Sequence, residues 1–403
     1  MRLKHIYIAI IALAMTVPAG AQNATSSPSS RFAYGEMNDN IPNAYRAMGG
    51  VNLGMRRNSA INPSQPASYT ACDSTSFMFD LAGSILWTNY SDASGKKNKI
   101  NGNLEYVTLQ FPIWKQHIGF SAGIMPYTSM GYAFGVTDSV GGHEYGISYV
   151  GAGGITQVYG GLSFNILDWV ALGANFYYMF GEINNETVLT FTESSIHGSD
   201  MWKNMHVGSF RFRYGMQLFH TFGKHSFCLG GIFENKQRLN GDYVQYEINF
   251  VDSVRVTDNG FEVPMTYGGG LSYNYADRLT IACDYYRQDW NNVLCFGETG
   301  TLKNHTKISL GCEYRHNPNG RNYAERMFWR VGASMIDSYV GNSGQKDFTI
   351  SAGFGLPLRT SATLVNTTLE YTHRASINQL NENCLKLTIA VAVNENWFFK
   401  RKL

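Results

Sequence analysis

From Thr75 onward, apolar and polar residues alternate with a period of two, stretch after stretch. No other feature restricts the fold as much, because a period of two belongs to strands with one apolar face. In "DFTISAGFGLP", Phe348, Ile350, Ala352, Phe354 and Leu356 share one face, and Thr349, Ser351, Gly353 and Gly355 share the other. "CLKLTIAVAVN" and "HTKISLGCEYR" repeat the pattern, and no helical period competes with it. The pattern predicts strands over 75–90, 101–113, 116–128, 153–166, 169–190, 204–222, 225–238, 261–276, 278–290, 303–316, 326–340, 346–358, 362–374 and 384–397. That makes about 14, an even number, as bacterial single-chain barrels require.

The links between strands alternate in kind. Tight turns fall at Trp114-Lys115, Leu167-Asp168, Gly223-Lys224 and Ala276-Asp277. Longer polar links fall near 91–100, 129–152, 191–203, 239–260, 291–302 and 375–383, with further β structure expected over 243–256. The alternation lapses twice, at the long turn "NPNGRNYAE" and at the short link near 341–345. Short turns on one rim and long loops on the other describe an all-β, transmembrane antiparallel β-barrel. Composition agrees: charged residues are 15% and aromatics 14% of the chain, against roughly a quarter charged in soluble domains. Interfacial belts are expected from Trp114, Trp169, Trp397 and Phe398 on the short-turn rim, and from Trp87, Tyr90, Trp290 and Tyr339 on the other. The competing architecture is a soluble sandwich or propeller, but no blade-length repeat is visible. Pro126 and Pro264 interrupt the pattern, because proline lacks the donor that a ladder needs.

The first 21 residues have a basic start (Arg2, Lys4), an apolar core and Ala19-Gly20-Ala21. They read as a cleaved export signal, the alternative being an uncleaved anchor. The six cysteines lack CxxC spacing; most are expected to act as small apolar strand residues, with a Cys283–Cys295 pairing left open but without support. Residues 22–31 form a polar leader, 32–73 a turn-rich segment and 74–403 the barrel. A barrel of about this size leaves an aqueous lumen unless something fills it. The segment holding Gly49, Gly50, Asn62, Pro63 and Pro66, with apolar anchors Met48, Val51, Leu53 and Ile61, is therefore expected to fold inward as a lumenal plug (hatch).

"AMGGVNLG", then "SAINPSQPASY", then a barrel strand resembles the FadL/TodX/OmpP1 family of outer-membrane transporters. Asn62-Pro63 matches that family's Asn-Pro-Ala element, except that Ser64 replaces the alanine and Pro66-Ala67 follows. The terminal "NENWFFKRKL" departs from the usual ending on an aromatic residue. The resemblance implies a 14-strand barrel with an N-terminal hatch. It also implies passage of hydrophobic molecules such as long-chain fatty acids or aromatic hydrocarbons, with lateral exit at a kink of the third strand. Pro126 and Gly131 lie in the matching region and are the candidate lateral gate.

The polar strand faces would line the lumen with Asp80, Gln110, Asn175, Arg211, Arg213, Gln217, Asp284, Glu313, Arg330 and others. These residues form either a network of paired charges or a ligand site. Arg211 and Arg213, two apart on one face, are the candidate holders of a ligand carboxylate. Enzyme motifs are lacking: "HEYGI" has Ile147 where HExxH needs a second histidine, and no GxSxG occurs. No cofactor or metal is expected, and a formal charge of +2 gives no reason to expect nucleic acid. The expected partners are a hydrophobic small molecule or fatty acid and outer-membrane lipid. A protein partner is expected if the barrel serves structure, assembly or secretion; a general porin is the third alternative.

Overall fold

Half-apolar strands in hydrocarbon must satisfy every backbone N–H and C=O without water, which only a closed sheet allows. The computed structural model describes residues 25–397, apart from 93–94, 194, 249–252, 259–260, 296–298, 341–345, 359–362 and 378–379. The export signal and Phe398 fall outside the described residues. A two-residue strand, β1 (Glu36–Met37), precedes the wall. The wall begins with β2 (Ser76–Asp92), β3 (Gly95–Trp114), β4 (Ile118–Val140), β5 (His143–Leu167), β6 (Val170–Phe191), β7 (Ser199–Phe222) and β8 (His225–Glu234). Four short strands, β9 (Gln237–Arg238), β10 (Gly241–Ile248), β11 (Ser253–Asp258) and β12 (Glu262–Val263), lie in the next long link. The wall resumes with β13 (Thr266–Tyr275), β14 (Leu279–Gln288), β15 (His305–Tyr314), β16 (Phe328–Asp337), β17 (Lys346–Pro357), β18 (Leu364–Ile377) and β19 (Leu380–Asn396). Each wall strand pairs antiparallel with its neighbours, and the β8–β13 and β19–β2 pairings complete a closed 14-strand barrel.

The period of two sorts the side chains. Phe348, Ile350, Leu310, Val331, Phe212 and Leu229 point outward and are exposed, whereas their alternates Thr349, Ser351, Ser309, Arg330, Arg213 and Cys228 are buried. Outward Trp114, Trp169 and Trp397 mark the short-turn rim, and Trp87 is exposed on its strand toward the other. The other expected members of that second belt are displaced. Tyr90, Trp290 and Tyr339 are 8%, 0% and 5% exposed and lie inside. Trp290 sits in a 3-10 turn beyond the end of β14, where no pleat fixes its direction, and burial among Tyr34 and Tyr339 gains more than an interfacial position.

The links expected over 91–100, 129–152 and 191–203 differ too. β4 and β5 continue through 129–152 as one hairpin, turned by Gly141 (φ 59°) and Gly142 (φ 87°), a Gly-Gly signal for a two-residue turn. The extensions do alternate, with Tyr132, Phe134, Val136 and Val140 in β4 and Tyr145, Ile147 and Tyr149 in β5, but the glycines and serines between them give the stretch the composition of a polar loop. The structure expected over 243–256 is the β10–β11 hairpin, whose first strand extends the wall beside β7. Pro264 falls between β12 and β13, where no ladder needs a donor from it. All six cysteines are free; Cys283 is exposed and Cys295 buried, so they form no bridge.

Candidate functional site

Residues 25–73, the head, lie against the inward face of the wall. The short helix Asn43–Arg46 is buried on every residue. After it the chain reverses through Gly49 (φ 72°) and Gly50 (φ 82°). A Cβ on Gly49 would stand 2.5 Å from the Ala333 carbonyl oxygen, so only glycine admits this approach to the wall. The Gly49 N–H donates to Ser351 Oγ at 2.8 Å. Next, the N–H groups of Asn52 and Leu53 donate to one carboxylate oxygen of Asp284, at 2.5 and 2.8 Å. Asn62 donates to the Asn52 carbonyl at 2.7 Å, closing the turn on itself. The Pro63 carbonyl accepts from Asn175 at 2.8 Å and Tyr177 at 3.1 Å. Pro66 opens the 3-10 turn Pro66–Ala71, whose Tyr69 donates to Asn175 at 2.9 Å. The five residues expected in a plug are thus on two turns that face β6, β14, β16 and β17.

Charges fix the same segment. Arg46 pairs with Glu105 at 2.9 Å and Glu370 at 3.5 Å. Arg57 pairs with Glu313 at 2.5 Å, and Arg330 holds the other oxygen of that carboxylate at 2.6 Å. Asp39 meets Lys307, and Glu36 meets Arg374. Partial burial pushes the Asp39 carboxyl up, but Lys307 and Arg46 outweigh it and bring it down to about 2. Among the described residues Arg56 meets neutral acceptors only, Ala67, Thr70, Gln217 and Asn165, together with the Phe219 ring. Burial without an acid lowers its guanidinium to about 10.

Arg211 and Arg213 do share one face, and both are buried. Their carboxylate is internal. Arg211 reaches Glu234 at 2.7 Å and Gln157 at 2.9 Å, and Arg213 takes the other Glu234 oxygen. A ligand carboxylate would have to displace Glu234. No local pattern near the arginines points to that residue, because it ends β8, the next strand, 21 to 23 residues along the chain. Glu105 and Lys307 lie farther still from their head partners in the chain, whereas Arg57, in a turn-rich, partly apolar segment, is the local signal that asks for an acid in the wall, and Glu313 supplies it.

Pro126 and Gly131 lie beside a break in the wall. β3 and β4 pair from Trp114/Ile118 to Val107/Ile124, and there the ladder ends. β4 carries a bulge between Pro126 and Thr128 and continues on β5 alone. The head takes the place of β3: Glu36 and Met37 pair with Ser129 and Thr128. Asn38 N–H donates to the Tyr127 carbonyl at 3.0 Å. Ser30 Oγ both donates to the Gly131 carbonyl and accepts from its N–H, each at 3.2 Å. The ladder donor missing at Pro126 therefore coincides with the end of β3 contact, and the head satisfies β4 from Tyr127 to Gly131.

Above this level, Tyr34 of the head, Met130, Ile155, Met179, Phe261, Trp290 and Tyr339 form an apolar core within the barrel. Behind the seam lies a cavity of about 200 Å³ lined by Glu36, Asp39, Arg46, Lys307, Arg374 and Lys386 among others. Toward the short-turn rim opens a polar vestibule of about 1230 Å³ that includes Arg56, Arg57, Asp73 and Arg315.

Similar architectures are found among solved structures. The toluene transporter TodX of Pseudomonas putida aligns with a TM-score of 0.61 at 14% identity, over 93% of this chain and 100% of its own. The toluene transporter TbuX of Ralstonia pickettii gives 0.57 at 13%, over 86% and 96%. A Pseudomonas aeruginosa FadL homologue gives 0.57 at 14%, over 91% and 99%. At such identities these likenesses concern the fold. No curated protein matches the sequence. A family model described as BamG matches residues 2–403, so the chain belongs to the BamG family.

Proposed function

We propose that this protein is an outer-membrane barrel of channel type, kept shut by its own head as a plug, that passes hydrophobic small molecules laterally at the β3–β4 seam. The observation that carries this reading is the end of β3–β4 pairing at Val107/Ile124, with two head residues standing in as the missing strand. A solute resting in the methionine- and aromatic-rich core has there a short way to lipid, and an apolar solute gains by leaving for an apolar phase. The similarity to structures described as a monoaromatic hydrocarbon channel and toluene transporters supports the substrate class. Uptake of radiolabelled toluene and of a long-chain fatty acid into vesicles carrying the purified protein tests it. Uptake no faster than in protein-free vesicles would overturn it.

A second reading has its own observation. The lumen is crossed by buried ion pairs, and the cavity beside the seam is walled by charges, which is poor lining for a hydrocarbon. A barrel so filled suits a structural or assembly role toward a protein partner, without a small-molecule substrate. A stable protein complex isolated in detergent, together with absent uptake, supports this reading; co-purified lipid and measurable uptake support the first.

A further inference from the structure

Beyond Gly131 the head no longer follows β4. Among the described residues, Tyr132–Val140 pair only with β5, so one edge of the strand is bare for its whole outer length. The seam contacts at Tyr127 and Gly131 fix which groups face outward from the ladder. By alternation, Ala133, Gly135, Thr137 and Ser139 present their N–H and C=O to the open side. Bare edges are usually blunted by lysine, proline or a covering segment. The opposite bank follows that rule, since outer β3 carries exposed Lys96, Lys97 and Lys99. The β4 bank, Tyr-Ala-Phe-Gly-Val-Thr-Asp-Ser-Val, has neither lysine nor proline and carries a single charge, Asp138 near its tip.

We propose that this edge of β4 receives an extended, acidic segment of another protein as an added strand at the cell surface. The acidic character follows from the three lysines across the seam. A second copy of the chain fits poorly. Two barrels inserted the same way round are related by rotation about the membrane normal, and that sets β4 against β4 in parallel with their tilts crossed, not as an antiparallel continuation. The head already shows the geometry in miniature, since Glu36–Met37 add to the same edge one step nearer the membrane. The inference rests on the reading that the long-loop rim faces outward, and it serves both functional readings.

The test uses the full chain in detergent and a fluorescent peptide, about nine residues long, alternating valine and glutamate. Saturable binding is expected, weakened about tenfold or more when alternate peptide nitrogens are methylated, which removes roughly one net hydrogen bond each. Gly135→Pro should weaken binding similarly. Its N–H faces the open side, so the β4–β5 ladder survives, and a retained heat-modifiable gel shift verifies folding. Should Gly135→Pro not fold, the methylated peptide decides alone. Replacing Lys96, Lys97 and Lys99 by glutamate should reverse the preference between this peptide and its lysine counterpart. Equal binding of methylated and parent peptides overturns strand addition; equal binding of acidic and basic peptides overturns the acidic partner. Dimers lost in Gly135→Pro would overturn it in favour of a second copy. Neither solute passage nor head release enters these measurements, so their failure is separable from that of the proposed function.

Discussion

Glu234 holds two guanidinium groups at once, and the three residues are 1%, 2% and 6% exposed. In such a cluster each charge answers for another's desolvation, so removing the carboxylate leaves two buried cations facing each other. Glu234→Gln should destabilise the barrel by about 3–5 kcal/mol, read as a lower temperature for loss of the folded band in heat-modifiability gels. Glu234→Gln combined with Arg211→Met and Arg213→Met should recover much of that loss; no recovery would mean that the charges act independently. Sequence alternation places both arginines inward, because facing is a property of one strand. Their partner is a property of register between strands, and nothing local to Arg211 or Arg213 encodes it. Asp284 is similar: its inward direction is legible, but its capture of the Asn52 and Leu53 N–H groups depends on how the head turns at Gly49 and Gly50.

Of the elements, the head is held by hydrogen bonds and ion pairs as much as by burial, and this gives it a pH dependence. The folded Asp39 carboxyl lies near 2 and its ordinary value is 3.8. A depressed acid contributes stability above its unfolded value and loses it as pH falls through the folded one. Head docking should thus be indifferent to this group down to about pH 4 and weaken between about 4 and 2. With 41% of the side chain open to water the effect is modest. Ion conductance of reconstituted barrels, rising over that interval and rising less in Asp39→Asn, is the measurement. Deleting Asn43–Tyr69 should raise conductance at neutral pH; unchanged conductance would count against the head as a plug. Within the wall, strand elements were legible where lipid enforces alternation. The outer halves of β4 and β5 were less so, because glycine and serine between Phe134, Val136, Tyr145 and Ile147 give a loop-like composition that masks their alternation and the Gly141-Gly142 turn. Pro126 did announce an interrupted ladder, but not that Glu36 and Met37 would fill it.

For the whole molecule, closure of the sheet and closure of the lumen are separate events. The strands complete the cylinder by their own pairings, and the head supplies a strand where β3 and β4 part above Val107/Ile124. If the seam is a route for solutes, the head's two-residue strand must leave β4 for passage to occur. Cysteines at Met37 and Thr128, which lie opposite each other in that pairing, should cross-link on oxidation and hold the seam shut. In the channel reading, oxidation of Met37→Cys/Thr128→Cys abolishes toluene uptake by vesicles, and reductant restores it to the level of the unsubstituted protein. A single Met37→Cys or Thr128→Cys variant, treated alike, should show no redox dependence. If uptake proceeds equally in the cross-linked barrel, the seam is not the exit. If uptake is absent in every form while the cross-linked barrel still binds its protein partner, the head strand is a permanent part of the wall and the barrel serves assembly.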